Sequence, residues 1–209
     1  MRTTVKLTLA ALTAAVLLAS MVGSASARNL SVTNRDFRVV WAPLSFSDAF
    51  RFFAVRCNVT MEGSFHANTI VKTLHTLIGN ITRAIVGRPC TGGEAWAWNG
   101  TEGALTGVSS LPWNMSYEGF TGTLPTIAGI RVLLRNTKFS IRSGICLGTY
   151  TLTNWNFTFI VAADRTVTIT PGTESFEPSE GECPSLIYSG TSSRITLLGT
   201  ATSITVTLI

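Results

Sequence analysis

The residues of this chain whose chemistry could go beyond packing are four cysteines, two histidines and five tryptophans. Cys57, Cys90, Cys146 and Cys183 form an even set, which in an exported protein reads as disulfides. A zinc site usually shows close Cys-x-x-Cys pairs, and none is present. Pairing sequence neighbours gives Cys57–Cys90 and Cys146–Cys183. Each closes a loop of about 35 residues, worth about 3–4 kcal/mol in the chain-entropy model. The stretch "GICLG" around Cys146 has the G-x-C-x-G form of a nucleophile elbow. An elbow needs a following helix, whereas "TYTLTNWNFTFIV" alternates like a strand, so Cys146 is expected to be oxidised and not a nucleophile.

His66 lies four residues after Glu62, but that spacing brings nothing together in a strand-to-loop region. His75 stands alone. Both are expected to face solvent or bond locally. Eleven acids could supply a carboxylate pair in any fold, so their presence singles out none. No Gly-rich phosphate loop precedes a helix. The expectation is a non-enzymatic protein with no catalytic residue, no metal ligand and no cofactor.

The aromatic residues are the remaining lead. "EAWAWNG" sets Trp96 and Trp98 two apart, on one face of a strand and beside the turn-like "NGTEG". They are the candidate binding residues, a platform for a glycan or another amphipathic cell-envelope surface; the competing expectation is that both fill the core. In "SSLPWNMSYEGFTGTLP", Trp113, Met115 and Tyr117 are expected to line the core, with Pro112 and Pro125 at strand ends.

The elements that must hold these residues follow from the N-terminus onward. Arg2 and Lys6 precede the apolar or small run Leu7 to Val22, and "GSASA" supplies small residues at Ala25 and Ala27. That is a signal-peptide pattern. Residues 1–27 are expected to be removed, leaving 28–209 as one extracytoplasmic domain of 182 residues. The apolar run is short for a spanning helix of about 20 residues. The remaining 14 basic and 11 acidic residues are scattered, which excludes the clustered footprint of a nucleic-acid binder. Six N-x-[ST] sequons are expected to follow from the Thr-rich composition.

Alternation dominates the rest. Phe53, Val55, Cys57, Val59 and Met61 fall on one face of a strand, as do Thr153, Trp155, Phe157, Phe159 and Val161 of another. A strand at 80–87 could pair with 53–62 and bring Cys90 beside Cys57. Further strands are expected at 38–46, 94–99, 111–123, 129–142 and 185–190, with a closing hairpin in "RITLLGTATSITVTLI". Residues 69–78 have apolar residues at helical spacing and are read as a short helix or turn. Residues 28–36 are read as frayed, and 171–184 as an acidic, Pro-rich loop tethered by Cys183. The fold class is all-β: a single antiparallel β-sandwich or partly closed β-barrel of about ten strands. Two rivals stand beside a non-catalytic exported binding or structural protein: an outer-membrane β-barrel, and a secreted enzyme with an unrecognised cleft.

Three segments, "VTMEGSFHANTI", "LPWNMSYEGFTGTLPTIAGI" and "ITLLGTATSITVTLI", resemble small exported β-rich proteins of actinobacteria. The resemblance implies secretion and a β-rich fold, and it carries no activity.

Overall fold

Alternation runs through most of the strands, and its buried half builds the core. In the computed structural model, residues 29–50, 52–123, 126–181 and 183–209 are described; the expected signal peptide and Pro125 lie outside them. The described residues form β1 (Asn29–Val32), β2 (Asp36–Asp48), β3 (Ala54–Phe65), β4 (Thr69–Val71), β5 (Leu77–Thr91), β6 (Glu94–Ala97), β7 (Trp113–Thr123) and β8 (Thr126–Arg135). They continue as β9 (Thr137–Ser143), β10 (Cys146–Leu152), β11 (Trp155–Val161), β12 (Val167–Pro171), β13 (Ser175–Phe176), β14 (Leu186–Gly190), β15 (Ser193–Leu197) and β16 (Val206–Leu208).

Eight strands close a barrel in the order β2-β3-β5-β7-β8-β11-β12-β15, with β15 returning to β2 through Ile195 opposite Val39. Every barrel strand pairs antiparallel with the next barrel strand in the chain, an up-and-down closure that leaves no open edge. Eight strands enclose a space that side chains can fill. Phe37, Val39 and Trp41 of β2, Met61 of β3, Ile81 of β5, Met115 of β7, Phe157 and Phe159 of β11 and Ile169 of β12 fill it, leaving a void of about 10 Å3. That is room for one water at most.

The other strands are excursions from the barrel. β6 departs between β5 and β7, and the β9–β10 hairpin departs between β8 and β11; together they form a three-stranded sheet, β10-β9-β6. Phe139 of β9 touches rings from three separate parts of the barrel wall: Phe46 of β2, Trp113 of β7 and Trp155 of β11. A side chain that reaches all three lies near the barrel axis, so this sheet is a cap. β2 bulges between Trp41 and Leu44; before the bulge it pairs with β15, and after it with β14. β1 lies between β16 and β4 in a second small sheet.

Both expected disulfides are present, Cys57–Cys90 between β3 and β5 and Cys146–Cys183 between β10 and the loop before β14. Burial pushes the Tyr150 phenol up to about 12; it stays protonated and donates to the Pro184 carbonyl at 2.8 Å, a second tie between cap and loop.

Several expectations are corrected. No helix forms over 69–78: β4 pairs with β1, a turn follows, and β5 begins at Leu77. His75 has φ of 62°, outside the helical region, and the β-branched residues there suit strands. Residues 29–32 are not frayed, because Leu30 and Val32 are buried and paired to β16. The single strand expected over 129–142 is two, broken where Asn136 adopts φ of 62° and turns the chain from barrel to cap. A bend at 153–154 returns it, so "TYTLTNWNFTFIV" is also two strands. After the short closing hairpin, β16 leaves β15 and joins β1.

The outer-membrane rival fails on polarity. A membrane barrel is apolar outside and polar within. Here apolar side chains fill the barrel interior, and the outer wall carries Glu62 of β3 bridged to Arg38 of β2 at 2.5 Å and to Arg83 of β5 at 3.1 Å.

Candidate functional site

Trp96 and Trp98 do share a face, and it is the outer face of the cap. In β9 the residues alternate: Thr137, Phe139 and Ile141 face the barrel, while Lys138, Ser140 and Arg142 face away. Trp96 lies opposite Ser140, which puts both indoles on the outward side. Neither is an open platform. Trp96 is only 8% exposed. Arg88 and Arg142 stand over its ring at 5.2 and 5.3 Å from the centroid. Its edge abuts Gly103, whose φ is +51° and where a Cβ would come within 2.5 Å of the indole nitrogen. The Trp96 Nε1 has no hydrogen-bond partner among the described residues.

Trp98 is partly buried. Lys138 Nζ sits 3.5 Å from its ring centroid. Its Nε1 donates to Ser140 Oγ at 3.0 Å, and Ser140 in turn bonds Thr149 Oγ1 on β10. The adjoining "NGTEG" loop is fixed by Glu102, whose carboxylate accepts from the Val86 and Ala97 amides and from Asn99 Nδ2. Glu94 bridges Arg142 at 3.3 Å and Arg88 at 3.8 Å, and Glu180 reaches Lys138 at 3.4 Å. A cation held over an indole keeps a fixed position, and a guanidinium so held presents its N–H edge to a planar anion. The face therefore offers fixed cations more than bare rings.

A second feature lies where β4 and the following turn meet β7 and β8, a cleft of about 890 Å3. His75 Nδ1 and Ser116 Oγ each contact one oxygen of Glu118, both at 2.8 Å. The turn is clamped to β7 by the His75 amide on the Tyr117 carbonyl and the Tyr117 amide on the Thr76 carbonyl. β7 is bulged between Tyr117 and Gly119. Burial pushes the Tyr117 phenol above its ordinary range, with the Arg131 charge pulling the other way, so it stays neutral. Sequence reasoning missed this cluster. His75 and Glu118 are 43 residues apart, and only the register of β5 on β7 brings them together.

His66 meets Asn80 Nδ2 at 3.0 Å. Cys146 is oxidised, and a hairpin strand follows it, which removes the elbow reading. No group of three or more His, Cys, Asp or Glu side chains among the described residues could hold a metal ion. No helix among them is long and apolar enough to cross a membrane. The chain matches no protein-family model, no curated protein and no solved structure.

Proposed function

We propose that this chain is an exported, extracytoplasmic binding protein with a non-catalytic role. Its ligand face is the outer side of the cap, and its ligand is an acidic glycan or a comparable anionic component of a cell envelope. One observation carries the reading: Trp96 and Trp98 lie side by side under Arg88, Arg142 and Lys138. Arginine stacked on an aromatic ring suits planar carboxylates and sulfates, and sugar rings supply the apolar faces that pack beside indoles. The filled barrel leaves such a ligand to an outer surface.

Export is supported by the two disulfides, which persist in oxidising compartments. Cutting after Ala27 would leave one residue ahead of β1 and every pairing of β1 intact. An actinobacterial-type origin rests on the resemblance of three segments to exported proteins of that group.

The test is a titration of the purified protein with uronate or sulfated oligosaccharides and with neutral ones of equal length. The acidic series is expected to bind saturably, to quench indole fluorescence and to weaken as salt rises. Arg142→Ala should lower affinity about tenfold, as loss of a charge-assisted contact does, and Trp98→Ala should lower it through the lost ring contact and the loss of the ring that seats Lys138. Equal affinity for neutral sugars, or none for either series, would end the reading. N-terminal sequencing of exported protein should begin at Arg28.

A further inference from the structure

The most exposed apolar side chains of the molecule gather at one end, and we infer that this end docks on an anionic phospholipid bilayer. Phe50 and Phe52, in the turn between β2 and β3, are 80% and 88% exposed, and Ile145, in the β9–β10 turn, is fully exposed. No other large apolar side chain among the described residues exceeds 58%. The Phe50 and Phe52 rings lie 6.0 Å apart and stand out as a pair. Leu147, also exposed, extends the apolar surface from Ile145 toward Arg142, its partner across the β9–β10 ladder.

Two glycines bring the turns together. A Cβ on Gly92 would run into the Ala54 carbonyl, where the first turn enters β3, and the Gly92 carbonyl accepts from Ser143 Oγ at 3.0 Å, where β9 enters the second turn. Gly93 sits between Val55 and the Arg142 carbonyl, again with no room for a Cβ. Their φ values, +79° and +154°, demand glycine on conformation as well as on space. Each turn is also fixed from behind. Asp48 Oδ1 accepts from the Phe53 amide at 2.9 Å across the first turn, and Cys57 farther along β3 is bridged to Cys90. Cys146, next to Ile145, is bridged to Cys183. Apolar side chains held out in water by a stapled frame lose little further freedom on binding.

Shape and charge select the occupant. A folded partner would have to supply a separate pit for each projecting side chain, whereas a bilayer interface buries apolar side chains in any arrangement beneath its headgroups. Three arginines stand behind the turns: Arg142 just before Ser143, Arg56 two residues beyond Ala54, and Arg88, which shares the Trp96 ring with Arg142. Two acids lie near them. Asp48 is buried in its turn, and Glu94 bridges Arg88 and Arg142. Arg56 is exposed and has no ion-pair partner among the described residues. Apolar tips backed by guanidinium groups match headgroups that carry phosphate, which arginine takes through its N–H edge.

The test is flotation of the purified protein with vesicles of phosphatidylcholine and phosphatidylglycerol in equal parts, beside vesicles of phosphatidylcholine alone. Wild type should bind the mixed vesicles, less so as salt rises, and bind the neutral ones about tenfold more weakly. Phe50→Ser with Phe52→Ser should cost tenfold or more and Ile145→Ser severalfold, following the transfer of exposed side chains out of water. All variants share the wild-type N-terminus, so its apolar run cancels from the comparison. In Phe52→Trp, lipid brominated on its acyl chains should quench the added fluorescence. Circular dichroism and Tm should match wild type in each, and the Ile145 variant decides if the double variant does not fold. Unchanged vesicle affinity in the tip variants, equal affinity for neutral vesicles, or no binding to either overturns the inference. So does a wild-type dimer that the tip variants abolish, which would give this end to a second copy. Binding to vesicles does not depend on the cap reading: tip variants should bind acidic oligosaccharides as wild type does. A protein that binds vesicles but no oligosaccharide loses the cap reading alone, and one that binds oligosaccharide but no vesicle loses the tips alone.

Discussion

The barrel side of the cap and its outer side are both rich in tryptophan, and they use the ring in opposite ways. Trp155 packs against Phe157 at 4.4 Å and Tyr188 at 5.4 Å between centroids, and Trp113 packs against Phe139 at 5.4 Å. These are ring-on-ring contacts in a dry core. Trp96 and Trp98, on the other side of the cap, have cations over them instead. One strand divides the two populations. β9 sends Phe139 inward and Lys138, Ser140 and Arg142 outward, so neighbouring residues of one short segment serve a core and a surface. What a tryptophan does here is set by the residues across the ladder and not by its own alternation.

The largest effect should come from breaking the inner population at its centre. Phe139→Ala is expected to cost about 3–5 kcal/mol, read as a fall in the denaturation midpoint, because Phe139 joins the cap to the barrel wall. A variant that kept wild-type stability would mean the cap does not plug the barrel. Next, replacing a cysteine pair by serine should cost about 3–4 kcal/mol on loop entropy alone. The two pairs should differ in where the loss appears. Without Cys146–Cys183, hydrogen exchange should rise first in β9 and β10; without Cys57–Cys90, in β3 and β5. Identical exchange patterns would show that cap and barrel open together.

A smaller effect is expected on the barrel's outer wall. Burial alone would raise the Glu62 pKa, but hydrogen bonds and charge from Arg38 and Arg83 outweigh it and hold the carboxyl below its ordinary 4.5. A group depressed in the folded state stabilises above its unfolded pKa, and that contribution is lost as pH falls through the folded value. Glu62→Gln should therefore cost about 1–2 kcal/mol at neutral pH and flatten the acid limb of the stability curve. An acid limb matching wild type would assign it to other carboxylates. Smallest of all, Arg142→Ala should change stability by under about 1 kcal/mol, since its ion pair with Glu94 is exposed. A large loss there would make the outer cations structural and blur the contrast between the two sides.

Much of the fold was legible in residue order. Alternation marked most strands, and the strand over 80–87 was rightly placed against 53–62, which aligned Cys57 with Cys90. Barrel closure was not legible, because Val39 and Ile195 meet across most of the chain and no local pattern names a partner so distant. Strand breaks were missed at Asn136 and at 153–154 because the apolar pattern runs on past them. The shared face of Trp96 and Trp98 could be read from their spacing. Its direction could not, since that depends on which face of β9 it meets. The cleft around Glu118 was invisible for a related reason: its residues come from four strands and a turn.

The ring of strands also sets a timetable. Val39 has no neighbour to pair with until Ile195 is available, so no shorter stretch of the chain can close the barrel. Contacts this distant in sequence slow folding, because the entropy of closing the chain is lost before the contact repays it. Until then β2 exposes the ladder edge that β15 later covers, an edge open to other chains. If the chain is exported as proposed, unfolded, late closure is an advantage: the piece that completes the wall is among the last to cross.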